Sequence, residues 1–177
     1  MPRKLKNEEL NRLSRETYKQ AEKNPIVLVL DNVRSLHNVG SAFRTADAFR
    51  IEKIVLCGVT GTPPNREIEK TALGATETVA WEHSDTTTDA IKQLRTTGYR
   101  IVAVEQAENS VALQDLVVNN EKTALVFGNE VYGVEEAVVD AADLVAEIPQ
   151  LGSKHSLNVS VSIGIVLWEI IRKRKTF

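Results

Sequence analysis

Short apolar runs rich in β-branched residues alternate along this chain with stretches whose apolar positions recur at helical spacing. From residue 25 onward that alternation predicts βαβ units around a mostly parallel sheet. Six strands are expected: Ile26–Leu30, Lys53–Cys57, Thr78–Trp81, Arg100–Glu105, Thr123–Gly128 and Leu144–Ile148. Helices fit between them at Val39–Phe49, Asn65–Leu73, Thr87–Thr96 and Glu135–Ala141, with a short turn at Leu113–Val117. The last helix is the longest, from about Leu157 to Arg174. Residues 1–24 read as a separate polar helix, docked by Leu5, Leu10 and Leu13. It should stop at Asn24-Pro25, because the residue before a proline is pushed out of the helical region. The expected organisation is an N-terminal helical extension, 1–24, followed by one α/β domain, 25–177, with six strands and helices on both faces.

Composition narrows the class. A chain of 177 residues with 42% hydrophobic and 26% charged residues is expected to be a soluble globular protein with a core of ordinary size. No apolar run approaches the roughly 18 residues of a membrane span, and MPRKLKNEEL has no apolar stretch behind its charges, so no secretory signal is read there. A cytoplasmic protein that does not enter membranes is expected. Cys57 stands alone, and three scattered His residues beside it give no zinc spacing, so no metal is expected.

Charge is unevenly spread. Residues 1–24 carry net +3 and the tail Arg172, Lys173, Arg174, Lys175 adds +4; the whole chain is −2, which leaves −9 in between. Basic flanks around an acidic body suit a polyanion, although solvated helix ends would give the same pattern.

The familiar cofactor loops are missing. No GxGxxG follows the first strand, Gly152-Ser153-Lys154 lacks the spacing of a P-loop, and there is no GxSxG elbow. Instead, three polar, glycine-bearing segments each follow a strand. In Asp31–Phe49, Asn38 is a candidate N-cap. Arg44 lies roughly opposite the face shared by Ala42, Ala46 and Phe49, and spacing alone fits a solvated arginine as well as a binding one. In Ala124–Val134, Gly128 and Gly133 permit close backbone approach to a ligand, while Glu130 is either an acceptor for a ligand amine or hydroxyl or simply solvated. In Glu147–Ile170, Ser156 suits the N-cap of a helix built from poor helix formers and small residues. Packing must hold that helix, against the sheet and against something more, such as another subunit; a strand is the competing reading. His155 reads as a loop histidine, Trp168 and Glu169 as packing and salt-bridging residues, and Cys57 as an inert buried thiol.

Taken in order, Asn38-x-Gly40-x-x-x-Arg44, Phe127-Gly128-Asn129-Glu130-x-x-Gly133, and Ile148-Pro149 followed by Ser156-Leu157-Asn158-Val159-Ser160-Val161 resemble the three motifs of the SpoU/TrmH family. These are RNA ribose 2'-O-methyltransferases of the SPOUT superfamily. The resemblance implies a C-terminal deep trefoil knot, which the rarity of threaded chains would otherwise argue against. It implies S-adenosylmethionine as cofactor, RNA (tRNA or rRNA) as substrate, and a homodimer with the active site at its interface. Arg44 looks like the catalytic arginine, Asn38 and Asn158 like site organisers, Glu130 like the motif glutamate, and Ser156 like the serine beside the target ribose. Phe127, Gly128, Asn129, Gly133, Ile148 and Leu157 match cofactor-lining positions. Gln150 departs from the family's frequent Met after Ile-Pro. Arg3, Lys4, Lys6, Arg12, Arg172 and Lys173 are the candidates to hold RNA. The other reading is a catalytically silent RNA-binding or assembly factor of the same fold.

Overall fold

The computed structural model describes residues 1–174. Within them the chain runs through α1 (Arg15–Gln20), β1 (Asn24–Asp31), α2 (Leu36–Ala48), β2 (Ile51–Cys57), α3 (Arg66–Ala72), β3 (Ala80–Ser84) and α4 (Thr87–Thr96). It continues through β4 (Arg100–Val104), β5 (Val111–Ala112), β6 (Thr123–Phe127), α5 (Glu136–Ala141), β7 (Leu144–Glu147) and α6 (Val159–Arg174). The strands form one seven-stranded sheet, in the order β3-β2-β1-β6-β4-β7-β5, and every pairing is parallel. The expected six-stranded sheet is therefore corrected to seven. The added strand, β5, has two residues, too few for an apolar alternation to register.

β1 is apolar almost throughout because both its faces are covered. Ile26, Leu28 and Leu30 join a core with Ala42, Phe43 and Ala46 of α2 and Ile163, Val166 and Leu167 of α6. The alternate residues Val27 and Val29 join a second core with Ile91 and Leu94 of α4 and Val138 of α5. Cys57 is buried in this second core, and burial pushes its thiol up to about 12, which keeps it unreactive.

The N-terminal reading needs correction. Residues 1–24 hold a 3-10 turn at Asn7–Leu10 and the short α1, and β1 has already begun at Asn24. Leu5, Leu10 and Leu13 do not dock; they are 57%, 38% and 45% exposed. Tyr18 is the buried residue of α1, with the Lys23 ammonium 4.4 Å from its ring centroid. β3 is also displaced from its expected span. Thr78 and Val79 belong to the turn after a 3-10 segment at Ala75–Glu77, and the strand that follows is a largely exposed edge.

The topology places the site. Because β6 pairs with β1 on one side and β4 on the other, and β4 pairs in turn with β7, the carboxyl ends of four parallel strands stand side by side. The loops leaving them, after Asp31, Phe127, Val104 and Glu147, share one end of the sheet, where open α/β sheets bind ligands.

Candidate functional site

A cleft of about 490 Å³ opens at that end of the sheet. Its walls include Phe127, Gly128, Asn129, Glu130 and Gly133 from the loop after β6, and Ile148, Ser156, Leu157 and Asn158 from the loop between β7 and α6. All six positions matched to cofactor binding line it, as do three of the five matched to catalysis.

The loop after β6 is closed on itself. Asn129 and Gly133 exchange backbone hydrogen bonds at 3.1 Å each, and the Asn129 carboxamide oxygen accepts from Val131 N at 3.0 Å and Tyr132 N at 2.9 Å. This folding leaves no room at Gly128, where a Cβ would stand 1.9 Å from the Gly133 carbonyl carbon and 2.1 Å from Val134 N. Glycine is required there by contact rather than by dihedral angle.

Glu130 projects from that loop to the start of α2. Its carboxylate accepts from Arg34 N and Ser35 N at 3.3 Å each and from the Asn38 amide at 2.8 Å. Burial favours the neutral acid. The Asn38 amide and the backbone amides, those of Arg34 and Ser35 among them, outweigh it and hold the carboxyl below the usual carboxylate range. Asn38 is not the N-cap of α2. Ser35 takes that role, its hydroxyl accepting from Asn38 N at 3.3 Å, and α2 begins three residues earlier than the sequence suggests. The Asn38 side chain is thereby free to bridge: its oxygen accepts from the Asn158 amide at 3.2 Å.

The same exchange occurs at α6. Asn158, not Ser156, caps the helix, its Oδ1 accepting from Ser160 N at 2.9 Å and from Ser160 Oγ at 2.6 Å. Ser156 instead lines the cleft. The three segments singled out in the sequence thus meet through one chain of side-chain hydrogen bonds, Glu130 to Asn38 to Asn158.

Arg44 is not part of that chain. It is exposed and lines a separate depression of about 320 Å³ with Arg15, Asp47, Leu73 and Gly74. Six positions of α-helix carry it about 9 Å along α2 from Asn38 and about 240° around the axis.

Two acidic residues of the site carried no sequence signal beyond ending an apolar run. Asp31 is fully buried; it accepts from Thr87 Oγ1 at 2.6 Å, from the Asn32 amide at 2.9 Å and from Glu135 N at 2.7 Å. Glu105 lines the cleft and accepts from Val134 N at 2.9 Å. Consecutive amides of the loop after β6 are therefore held by carboxylates at the carboxyl ends of its two neighbours, Asp31 at the end of β1 and Glu105 just past β4.

The basic residues divide. Arg3 is paired with Glu9 at 2.6 Å and Arg172 with Glu169 at 2.8 Å, both on the surface. Lys4, Lys6 and Arg12 are exposed. Lys173 is turned inward, its ammonium donating to the carbonyls of Leu113, Gln114 and Leu116 at 3.2, 2.7 and 2.8 Å, so all three of its protons are committed within the chain. Arg174 likewise donates to Glu121 O and Thr123 Oγ1. Lys175 lies outside the described residues. The tail is therefore a poorer polyanion-binding element than its composition suggests.

Among the described residues, no helix is long and apolar enough to cross a membrane.

Comparison with known proteins agrees with this geometry. The family model for the SpoU rRNA Methylase family matches residues 25–168. An uncharacterized tRNA/rRNA methyltransferase of Borreliella burgdorferi is 31% identical over 89% of this chain and 68% of its own length. The 23S rRNA (guanosine-2'-O-)-methyltransferase RlmB of Neisseria meningitidis serogroup B is 32% identical over 85% of this chain and 59% of its own. This chain thus spans about three fifths to two thirds of these relatives. Among solved structures, the A. aeolicus TrmH/SpoU tRNA modifying enzyme superimposes with a TM-score of 0.80 at 31% identity, covering 92% of this chain and 81% of that one. The AdoMet-bound rRNA methyltransferase from Sinorhizobium meliloti gives 0.79 at 31%, covering 91% and 61%. Three motifs joined over one cleft, and a family match that runs through all of them, establish that the chain belongs to the SpoU rRNA Methylase family.

Proposed function

We propose that this protein transfers a methyl group from S-adenosylmethionine to a ribose 2'-hydroxyl of RNA, either tRNA or rRNA. The observation that carries the proposal is the Glu130–Asn38–Asn158 chain, which ties the three motif segments over a cleft already lined by every matched cofactor position. The cleft suits a cationic cofactor. Its walls hold the carboxylates of Glu105 and Glu130 and, among the described residues, no Lys or Arg, while Val104, Phe127, Ile148 and Leu157 offer apolar surface for a purine. The names of the relatives, a 23S rRNA 2'-O-methyltransferase and an AdoMet-bound rRNA methyltransferase, support both the cofactor and the substrate class.

S-adenosylmethionine supplies a methyl group on positively charged sulfur. Phe127, Gly128, Asn129, Gly133, Ile148 and Leu157 would hold it, largely through the backbone. Asn38 and Asn158 fix the loops, Glu130 supplies negative charge, and Ser156 stands beside the target ribose. A neutral hydroxyl is a weak nucleophile and must be brought into line with the methyl group. In this scheme Arg44 grips the adjacent phosphate with its planar fork and orients the sugar. The proton leaves to a phosphate oxygen or to water.

That scheme requires Arg44 to meet a cleft its own chain does not bring it to, and a homodimer with the site at its interface meets the requirement. The outer face of α6 supports it: Val161, Ile165 and Trp168 are 50%, 38% and 53% exposed at helical spacing, beside an apolar groove walled by Leu113, Ile148, Pro149 and Gly164. We also propose that the C-terminal segment is tied in a deep trefoil knot. The support is the last turn of α6, where Lys173 and Arg174 bind backbone carbonyls at Leu113, Gln114, Leu116 and Glu121, on the segment that runs from β5 back to β6. Residues 1–24 form the extension to the methyltransferase domain of 25–177, with Arg3, Lys4, Lys6, Arg12 and Arg172 offered to RNA. RNA of this kind puts the proposed activity in the cytoplasm.

The test is incubation with methyl-labelled S-adenosylmethionine and total RNA from cells lacking the gene. Label entering an rRNA or tRNA fraction supports the reading. No label in any fraction, with RNA still bound, would establish the silent-factor alternative instead.

A further inference from the structure

We propose that Glu105 and Gln106 form a strut that sets the spacing of the two loops holding the cofactor, and so act as positioning residues for its affinity. The inference rests on the reading of this cleft as the S-adenosylmethionine site. The pair follows β4 directly, and both residues line the cleft. Each of the two side chains holds one loop. The Glu105 carboxylate accepts from Val134 N at 2.9 Å with one oxygen and from Gln106 N at 2.8 Å with the other. The loop after β6 comes so close that a Cβ on Gly133 would stand 2.1 Å from Glu105 Oε2, and Gly133 has φ +71, a second reason for glycine there.

The Gln106 amide in turn donates to His155 O at 2.8 Å. Among the described residues, this is the only hydrogen bond that loop 150–157 makes with the rest of the chain. That loop carries Ser156 and Leu157 to the cleft. Two consecutive residues outside the three motifs thus connect the second motif to the third, one through a carboxylate and one through an amide. Without the Gln106 donor the loop keeps its covalent ends and loses its lateral fixing, so ordering it must be done by the cofactor itself, at a cost in affinity. Neither contact faces the depression that holds Arg44, which predicts an effect on cofactor binding separate from any effect on RNA.

The experiment measures S-adenosylhomocysteine binding by titration calorimetry, together with separate KM values for S-adenosylmethionine and RNA. It compares the full chain with Gln106→Ala, the isosteric Gln106→Glu, Glu105→Ala and the conservative Glu105→Gln. Gln106 is exposed, so its variants keep the fold. Both should bind S-adenosylhomocysteine about tenfold more weakly, in line with one lost hydrogen bond and a freed loop. The thermal midpoint and the KM for RNA should not change. Glu105→Gln, which keeps one carbonyl acceptor, should fall between the full chain and Glu105→Ala. Unchanged affinity in both Gln106 variants overturns the inference and leaves the assignment of the cleft standing. So does a loss matched by an equal rise in the KM for RNA or by a collapsed thermal midpoint. Failure of the unaltered chain to bind S-adenosylhomocysteine overturns the assignment of the cleft and the inference with it.

Discussion

The side-chain amide of Asn38 donates to the Glu130 carboxylate at 2.8 Å across 92 positions of chain, and this bond joins the start of α2 to the loop after β6. Residues acting through one bond act as a unit, so their losses do not multiply. Asn38→Ala and Glu130→Ala are each expected to lower kcat/KM for RNA methylation about 10²-fold, the usual cost of losing one well-placed polar group in an active site. The double variant should lose little more than the worse single one. A loss near 10⁴-fold would show that the two side chains act independently.

Stability against pH tests the charge on Glu130. Its folded-state pKa is depressed from 4.5, so its contribution is fully present above about pH 4.5 and disappears as pH falls through the lower folded value. Glu130→Gln should therefore have a lower thermal midpoint than the unaltered chain at pH 7, with the gap closing as pH falls below about 4.5. A gap constant across that range would mean that the carboxylate is not the favoured form in the folded protein.

Gly128→Ala should be among the most damaging single-carbon additions in the cleft. The added methyl group meets backbone atoms, which cannot swing away as a side chain can. Overpacking of this kind costs about 1–3 kcal/mol or more, and here the strain falls on the loop after β6. Denaturant unfolding should register the loss, with S-adenosylhomocysteine binding reduced further than stability alone requires. A variant of unchanged midpoint and affinity would mean that the 128–133 loop is looser than its hydrogen bonds imply.

The exposed face of α6 makes a prediction about assembly. Ile165→Glu places a carboxylate in the middle of the Val161–Ile165–Trp168 stripe, where the single chain leaves it solvated and a dimer would bury it unpaired. The variant should sediment as a folded monomer with unchanged circular dichroism and without methyl transfer. Sedimentation of both proteins at the same mass would remove α6 from the interface.

Much of the fold could be read from the chain because parallel strands covered on both faces leave unbroken apolar runs, as at Ile26–Leu30 and Thr123–Phe127. What escaped was set by tertiary contact. β5 is too short to have a pattern. Leu5, Leu10 and Leu13 have helical spacing but no surface to cover, while Tyr18 found one. Asn38 and Ser156 are both good capping residues by type. Ser35 and Asn158 cap the helices instead, and which residue does so decides which side chain is left to build the site. The motif positions were recognisable as a resemblance, but the bonds among them were not, since Glu130, Asn38 and Asn158 are brought together by strand order alone. Asp31 at the end of β1 and Glu105 just after β4 close apolar runs in the way a solvated carboxylate would, and nothing local distinguishes the two cases.

The most direct test of ribose methylation uses alkali. RNA chains break in base when a 2'-hydroxyl attacks the neighbouring phosphate, so a methylated ribose leaves that one linkage intact. RNA methylated by this protein with labelled S-adenosylmethionine should, after complete alkaline hydrolysis, carry its label in an alkali-resistant dinucleotide, and Arg44→Ala should greatly reduce that label. Label recovered only in mononucleotides would place the methyl group on a base and contradict the account.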